Sequence, residues 1–372
     1  MKILRVAPDL YPYVVGGFGI HIADISHDQA AAGHNVTVYT CIEDKPDGVV
    51  SSENPRVYNI GRGLVLFGNS LCFNVYHLLK KHAPEYDIVH THSHLFFSSL
   101  MCALYKRLHK KSMILAITNH GLISQNVPEW FQSLYNRVFG KFIFSSADAV
   151  ISYTAEEAKV IENWGVNPEK IHIIHNGIKV ERFLQQCSDI QRKKQIIWVG
   201  RFVIGKGVHE LAEGFAAFSK KYPKYSLLMI GKGPEKDAVV QKIEDLGVSD
   251  KITILDFVPN DKMQAMYEES EVFLLPSYAE GVPKTMLEAM VCGLPVITTA
   301  LPQILDIVDG CGFIVPVKDA GAIADALSEM VADSDQMRRF GEASRKKVLE
   351  NYDWGDSVEK TTELFEELIK KK

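Results

Sequence analysis

Short apolar runs of four to six residues alternate with stretches of helical periodicity along almost the whole chain, the pattern of parallel α/β architecture. In the first half the pattern predicts strands at Ile3–Ala7, Val36–Cys41, Val57–Ile60, Ile88–Thr91, Met113–Thr118, Ala149–Ser152 and Ile171–Ile174. The opening unit is the clearest: a strand, a Gly-Gly turn, then a helix with Phe18, Ile22 and Ile25 on one face, stopped at Gly33-His34. A polar stretch, QQCSDIQRKKQ at residues 185–195, interrupts the alternation. It resumes with strands predicted at Ile196–Gly200, Leu227–Gly231, Ile252–Val258, Val272–Pro276 and Pro295–Thr299. Residues 354–372 read as a terminal amphipathic helix with Val358, Thr361, Leu364, Phe365 and Leu368 on one stripe. Two doubly wound domains, 1–184 and 195–353, follow from this pattern, with a ligand cleft expected between them.

Composition agrees with a soluble two-domain protein: 372 residues, 47% hydrophobic and 23% charged. A formal net charge of −5 supplies no global basic field for nucleic acid. Asp9 and Pro12 interrupt the N-terminal apolar run, which therefore does not read as a signal peptide, and no segment reaches the ~18 apolar residues of a spanning helix. Cys41, Cys72, Cys102, Cys187, Cys292 and Cys311 form no C-x-x-C pair and read as reduced thiols of a cytoplasmic protein.

The strongest chemical feature is Glu280-Gly-Val-Pro-Lys-Thr-Met-Leu-Glu288, placed after a strand and therefore at the carboxyl edge of a parallel sheet. Pro283 suits the first turn of a helix, whose free amides at Lys284 and Thr285 then face an anion. A continuous helix would separate the two glutamates by about 12 Å, too far for the pair of a retaining glycosidase at about 5 Å. One carboxylate is expected at a reacting sugar, the other on a hydroxyl-rich part of the ligand. In Val199-Gly-Arg-Phe-Val-Ile-Gly-Lys-Gly207, Arg201 and Lys206 occupy a Gly-flanked strand-to-helix loop suited to a diphosphate. Gly16 and Gly17 follow the first strand and allow a close phosphate approach, or simply a tight turn. His120, in Thr118-Asn-His-Gly121, ends a strand facing the cleft; a contact to the reacting sugar and a hydrogen-bonded core role both fit it. His90, His92 and His94 have the spacing of metal ligands, but no carboxylate or Cys accompanies them, and no D-x-D pair follows a strand. No metal and no cofactor are expected.

These residues resemble the family 4 glycosyltransferases over nearly the whole chain. The carrying motifs are Gly16-Gly17-Phe-Gly-Ile-His21 through Ala32-Gly-His-Asn-Val, Asp87-Ile-Val-His-Thr-His92, His175-Asn-Gly-Ile178, Gly200-Arg-Phe to Lys206-Gly, and the E-x7-E segment Glu280–Glu288. The resemblance implies a GT-B fold: two Rossmann-like domains facing across a cleft, with the C-terminal helix crossing back to the first. It implies that Arg201 and Lys206 hold the diphosphate, Glu288 the ribose hydroxyls and Glu280 the donor sugar. His120 becomes the active-site histidine, Gly17 the phosphate-approaching glycine, and the backbone at Val258 a base contact. Val282-Pro283 stands where the family often has Phe-Gly, which reshapes the pocket near the sugar.

The activity expected is a retaining, metal-independent hexosyl transfer from a UDP- or GDP-sugar to a glycan, lipid-linked or small-molecule acceptor, with domain closure excluding water. The alternatives are a sugar-nucleotide epimerase on the same fold and a non-catalytic nucleotide-sugar-binding subunit. Lys106-Arg-Leu-His-Lys-Lys111, with Trp130, Phe131, Leu134, Tyr135, Val138 and Phe139 at helical spacing, suits peripheral contact with a membrane, or else a core-facing helix and a solvated loop.

Overall fold

A computed structural model describes residues 1–13, 17–42, 45–61, 63–66, 69–109, 113–122, 129–184 and 192–372. They form two compact units, Met1–His175 with Asp356–Lys372, and Asn176–Gly355. The division falls at His175–Asn176, ahead of the polar stretch 185–195, of which residues 185–191 lie outside the described residues. Backbone pairing accounts for this position. The Ile178 amide donates to Tyr352 O at 2.9 Å and the Trp354 amide to Ile178 O at 2.9 Å, which ties residues 176–184 to the second unit. Gly177 is required there, because a Cβ would stand 2.5 Å from Asp353 O.

In the first unit the strands are β1 Lys2–Val6, β2 Asn35–Thr40, β3 Gly48–Ser51, β4 Arg56–Asn59, β5 Leu64–Leu66, β6 Asn69–Leu71, β7 Ile88–His92, β8 Leu115–Thr118, β9 Ala149–Ser152 and β10 Ile171–Ile173. Eight form one sheet in the order β10-β9-β8-β7-β1-β2-β4-β3, parallel except for β3 against β4; β5 and β6 make a separate hairpin. Alternate side chains enter two cores, as a sheet buried on both faces demands. Leu4, Val6, Val89, Leu115 and Ile117 lie on one side. Ile3, Val36, Ile88 and Ala116 lie on the other, together with Leu364 and Phe365 of the C-terminal helix Trp354–Lys371.

The second unit contains β11 Gln195–Val199, β12 Ser226–Ile230, β13 Ile252–Leu255, β14 Val272–Leu275, β15 Val296–Thr299 and β16 Gly312–Val315. All are parallel, in the order β13-β12-β11-β14-β15-β16. The order reverses between β11 and β14, and in the first unit between β1 and β7. Ligands of open parallel sheets bind at such reversals, outside the carboxyl ends of the strands. Among the described residues no helix is long and apolar enough to cross a membrane.

Candidate active site

In the second unit the loops that leave β11 and β14 meet at the reversal. Arg201 follows β11, exposed, its guanidinium without a partner among the described residues. A short turn, Ile204–Lys206, ends at Gly207, whose φ is +63° and whose added Cβ would stand 2.1 Å from Pro276 O. Only glycine lets the chain cross the end of β14 this closely. That crossing seats the Lys206 ammonium on the Glu280 carboxylate, with side chains 17% and 9% exposed. Ser277 Oγ donates to the same carboxylate oxygen at 2.6 Å, and the Gln303 side-chain amide donates to Glu280 O.

The following helix is Lys284–Val291, with Pro283 at its N-cap, one residue earlier than the first-turn position expected of it. Lys284 and Thr285 are therefore the first two helical residues, where amides have no intrahelical acceptor. The Lys284 ammonium lies 5.1 Å from the centroid of the Trp354 ring. Glu288 sits just over one turn into the helix, partly buried, and accepts from the Tyr267 hydroxyl at 3.0 Å. Burial pushes the Glu288 carboxyl up; the Tyr267 hydrogen bond and the charges of Lys284 and Arg182 pull against it. The two glutamates are not joined by one continuous helix, since Glu280 precedes it, and they bond to different partners. Val258 is buried in the loop after β13, at the same carboxyl edge.

In the first unit, helix α1, Gly17–Ala31, begins after β1. Gly16 lies outside the described residues. A Cβ at Gly17 would meet nothing within 4 Å among the described residues. His120, partly buried, follows β8 by two residues, and its Nε2 is 3.1 Å from His92 Nδ1. The Tyr153 hydroxyl lies 3.2 Å from His120 Nδ1 and 3.3 Å from His21 Nε2. Tyr153 is held at the end of β9 by a helix cap. Thr154 Oγ1 accepts from the Glu157 amide, and the Glu157 carboxylate accepts from Ser152 Oγ and the Tyr153 amide, each at 3.3 Å. Phe18 stacks edge-on to His120 at 4.8 Å between centroids.

Beneath this group Arg5 is fully buried. It donates to Ser26 Oγ at 2.7 Å and Gln29 Oε1 at 2.6 Å, and burial lowers its pKa to about 9. His90 is within 3.4 Å of Arg5 and 2.8 Å of Thr118 Oγ1. Burial, then Arg5, hold His90 far below the usual histidine range; burial, then His90, hold His92 there too. Both imidazoles are neutral at pH 7.

The histidines singled out by spacing are thus not one cluster. Strand β7 extends to His92, which keeps His90 and His92 together, their ring centroids 4.1 Å apart. After Ser93, at φ +59°, the chain turns His94 away to Asn119 and Asn136. His92 joins His21 and His120 instead, and one ring nitrogen from each lies within 4.8 Å of the others. Tyr153, Ser277 and Tyr267 were not picked out from sequence, and His21 only as part of a resemblance motif with no role assigned. For Tyr153 a signal existed, its place at the carboxyl end of a predicted strand; the contacts of the others depend on tertiary packing.

The apolar residues expected at a membrane or in the core lie mainly outside. Trp130 is 70% exposed, Leu134 58% and Val138 52%, and Phe131 and Phe139 are exposed as well. They belong to Glu129–Tyr135 and its continuation Asn136–Gly140, with Arg137 and Lys141 also exposed. Tyr135 instead bonds through its hydroxyl to His94 O at 3.0 Å. Lys106 is not a solvated cation, because it pairs with Asp148 at 2.6 Å and donates to Met113 O. Lys110 and Lys111 lie outside the described residues.

Two family models match the chain: "Glycosyltransferase Family 4" over residues 15–182 and "Glycosyl transferases group 1" over residues 181–347. An uncharacterized glycosyltransferase of Methanocaldococcus jannaschii is 23% identical over 387 residues, covering 98% of each chain. Among solved structures, a sucrose-phosphate synthase from Thermosynechococcus elongatus superposes with a TM-score of 0.83 at 22% identity, covering 100% of both chains. HepE of Anabaena, solved with UDP, does so with a TM-score of 0.79 at 18% identity, covering 99% of this chain and 100% of that one.

Proposed function

Because the chain belongs to the family 4, group 1 glycosyltransferases and has their GT-B fold, we propose that it transfers a hexosyl group from a UDP- or GDP-sugar with retention of anomeric configuration. The observation that carries the proposal is the Lys206–Glu280 pair, set at the reversal of the second sheet beside the start of the helix Lys284–Val291. Cations and helix amides at one sheet edge match a leaving diphosphate, whose charge grows as the glycosidic bond breaks. HepE was solved with UDP and with UDP-glucose, which favours UDP among the donors.

In this reading Arg201, with no partner among the described residues, takes the diphosphate outright. Lys206 shares itself between the diphosphate and Glu280, which in turn is held in place for the sugar by Ser277. Glu288, oriented by Tyr267, accepts from the ribose hydroxyls, and the backbone at Val258 meets the base. On the first unit Gly17 and His120 keep the roles the family resemblance gives them, a glycine that a phosphate can approach closely and a histidine that hydrogen-bonds the reacting sugar. The acceptor hydroxyl attacks from the face the diphosphate leaves, without a protein nucleophile, and charge is neutralised by side chains rather than by a divalent cation. The exposed stripe at Trp130, Leu134 and Val138, flanked by Arg137 and Lys141, suits an anionic bilayer and therefore a lipid-linked acceptor.

The test is product stereochemistry. Incubation with UDP-α-glucose or another α-linked donor and a panel of sugar and lipid-linked acceptors, read by proton NMR, is expected to give an α-linked product. A β-linked product, or an epimerised donor formed without acceptor, overturns the proposal.

A further inference from the structure

The imidazoles of His21 and His120 meet at the Tyr153 hydroxyl, and His92 joins them through His120. We propose that they form a binding site for a divalent transition metal, zinc(II) above all, and that the metal inhibits the enzyme by occupying His120. The metal-binding part stands on the first unit alone; only the inhibition rests on the function proposed above.

Geometry is the first argument. Zinc–imidazole bonds of about 2.0–2.1 Å in a tetrahedron put ligand nitrogens about 3.4 Å apart. His92 Nδ1 and His120 Nε2 are already 3.1 Å apart, and all three ligand nitrogens fall within 4.8 Å of one another. His120 is only partly buried, which gives an ion a side to enter by, and closing the nitrogens from within 4.8 Å to that spacing takes a shift of the His21 or His120 ring. The fourth position falls to water, as in three-histidine zinc sites.

Chemistry is the second. Metals bind the neutral imidazole, and protons compete for it near neutral pH. His92 is fully buried on strand β7. His92 Nε2 is buried without a hydrogen-bond partner, while its Nδ1 faces His120, and the metal would replace that one contact. Three nitrogen ligands without a carboxylate favour zinc, copper or nickel over magnesium or calcium.

One group opposes binding. The buried Arg5 guanidinium lies behind His90, and a second cation nearby is repelled by it. Occupancy is therefore expected to be reversible and weaker than that of a structural zinc site. A reversible ion on His120 withdraws that ring from the sugar, which makes the site inhibitory.

The experiment titrates cobalt(II) and zinc(II) into the full chain after chelator treatment and gel filtration. Cobalt absorption reports tetrahedral nitrogen coordination, and zinc competition gives the affinity. One equivalent of metal is expected. His21→Ala and His92→Asn should each weaken it at least about tenfold, since loss of even an outer-shell partner costs that much. Circular dichroism shows whether each variant is folded; should His92→Asn unfold, His21→Ala carries the comparison alone. No tetrahedral cobalt band in the wild type, or equal affinity in folded His21→Ala, overturns the metal site. A metal that binds there without slowing transfer, in an active preparation, overturns the inhibition alone.

Discussion

Tyr267→Phe isolates how Glu288 is held. The ring is fully buried and its hydroxyl donates to Glu288 Oε2 at 3.0 Å, so the substitution removes one oxygen and opens no sizeable cavity. A hydrogen bond to an ionised group contributes about 1.5–3 kcal/mol, and ribose hydroxyls or water recover part of that. A net loss of about 1–1.4 kcal/mol corresponds to a five- to tenfold rise in donor KM and in Ki of the free nucleoside diphosphate. kcat should stay within about twofold, because the ribose is bound alike in ground and transition states. The Tyr267 bond also restrains the upward push of burial on the Glu288 carboxyl, so its removal moves that carboxyl further up. Donor binding needs the ionised form, and it is lost as pH falls through the raised pKa. The acid limb of kcat/KM should therefore move to higher pH in Tyr267→Phe. Steady-state kinetics over a pH series, with thermal unfolding as a folding control, makes the comparison. Unchanged KM and Ki in a folded variant, or a fall in kcat alone, would refute the ribose assignment.

Other outcomes follow from the same geometry. Glu288→Ala should chiefly raise donor KM, whereas Glu280→Ala should chiefly lower kcat; donor and nucleotide affinity unchanged in the first but abolished in the second would reverse the assignment. Arg201→Ala should raise KM and lower kcat together, because the diphosphate is bound throughout and gains charge as it leaves, and kinetics identical to wild type would remove it from the site. Turnover should survive EDTA within about twofold, as side chains neutralise the diphosphate; full loss restored by Mn²⁺ would contradict this. The chain should co-sediment with anionic vesicles in a salt-sensitive manner, and Trp130→Ser with Leu134→Ser should abolish this; no binding by the wild type removes the membrane contact.

The strands that position both candidate sites were legible because a sheet buried on both faces writes itself as continuous apolar runs, such as IIWVG before Arg201. Short or solvent-facing strands such as β3 and β5 lack that signature and escaped. The E-x7-E segment was legible as chemistry, since a strand end, a proline and two carboxylates fall in one stretch. That Glu280 pairs with Lys206, 74 residues away in sequence, was not. It depends on Gly207 crossing Pro276, a contact that no local pattern encodes. Histidine spacing was misleading for a related reason: Ser93 reverses the chain, so His94 leaves the strand face that His90 and His92 share. His21 reaches His92 and His120 from a helix instead, and only the packing of α1 on the sheet brings it there.

The most direct test of the central claim, a nucleotide-sugar site built on Lys206, Glu280 and Glu288, is a thermal-shift comparison. Wild type, Lys206→Ala and Glu288→Ala would be heated with UDP-, GDP- and ADP-sugars. A ligand at 100 times its Kd adds about 2.7 kcal/mol. For a unit of this size that raises Tm by roughly 5–10 °C. The account predicts such a shift for wild type with one nucleotide series, UDP foremost, and a much smaller one for both variants. No shift with any nucleotide sugar, or an equal shift in folded Glu288→Ala, would contradict it.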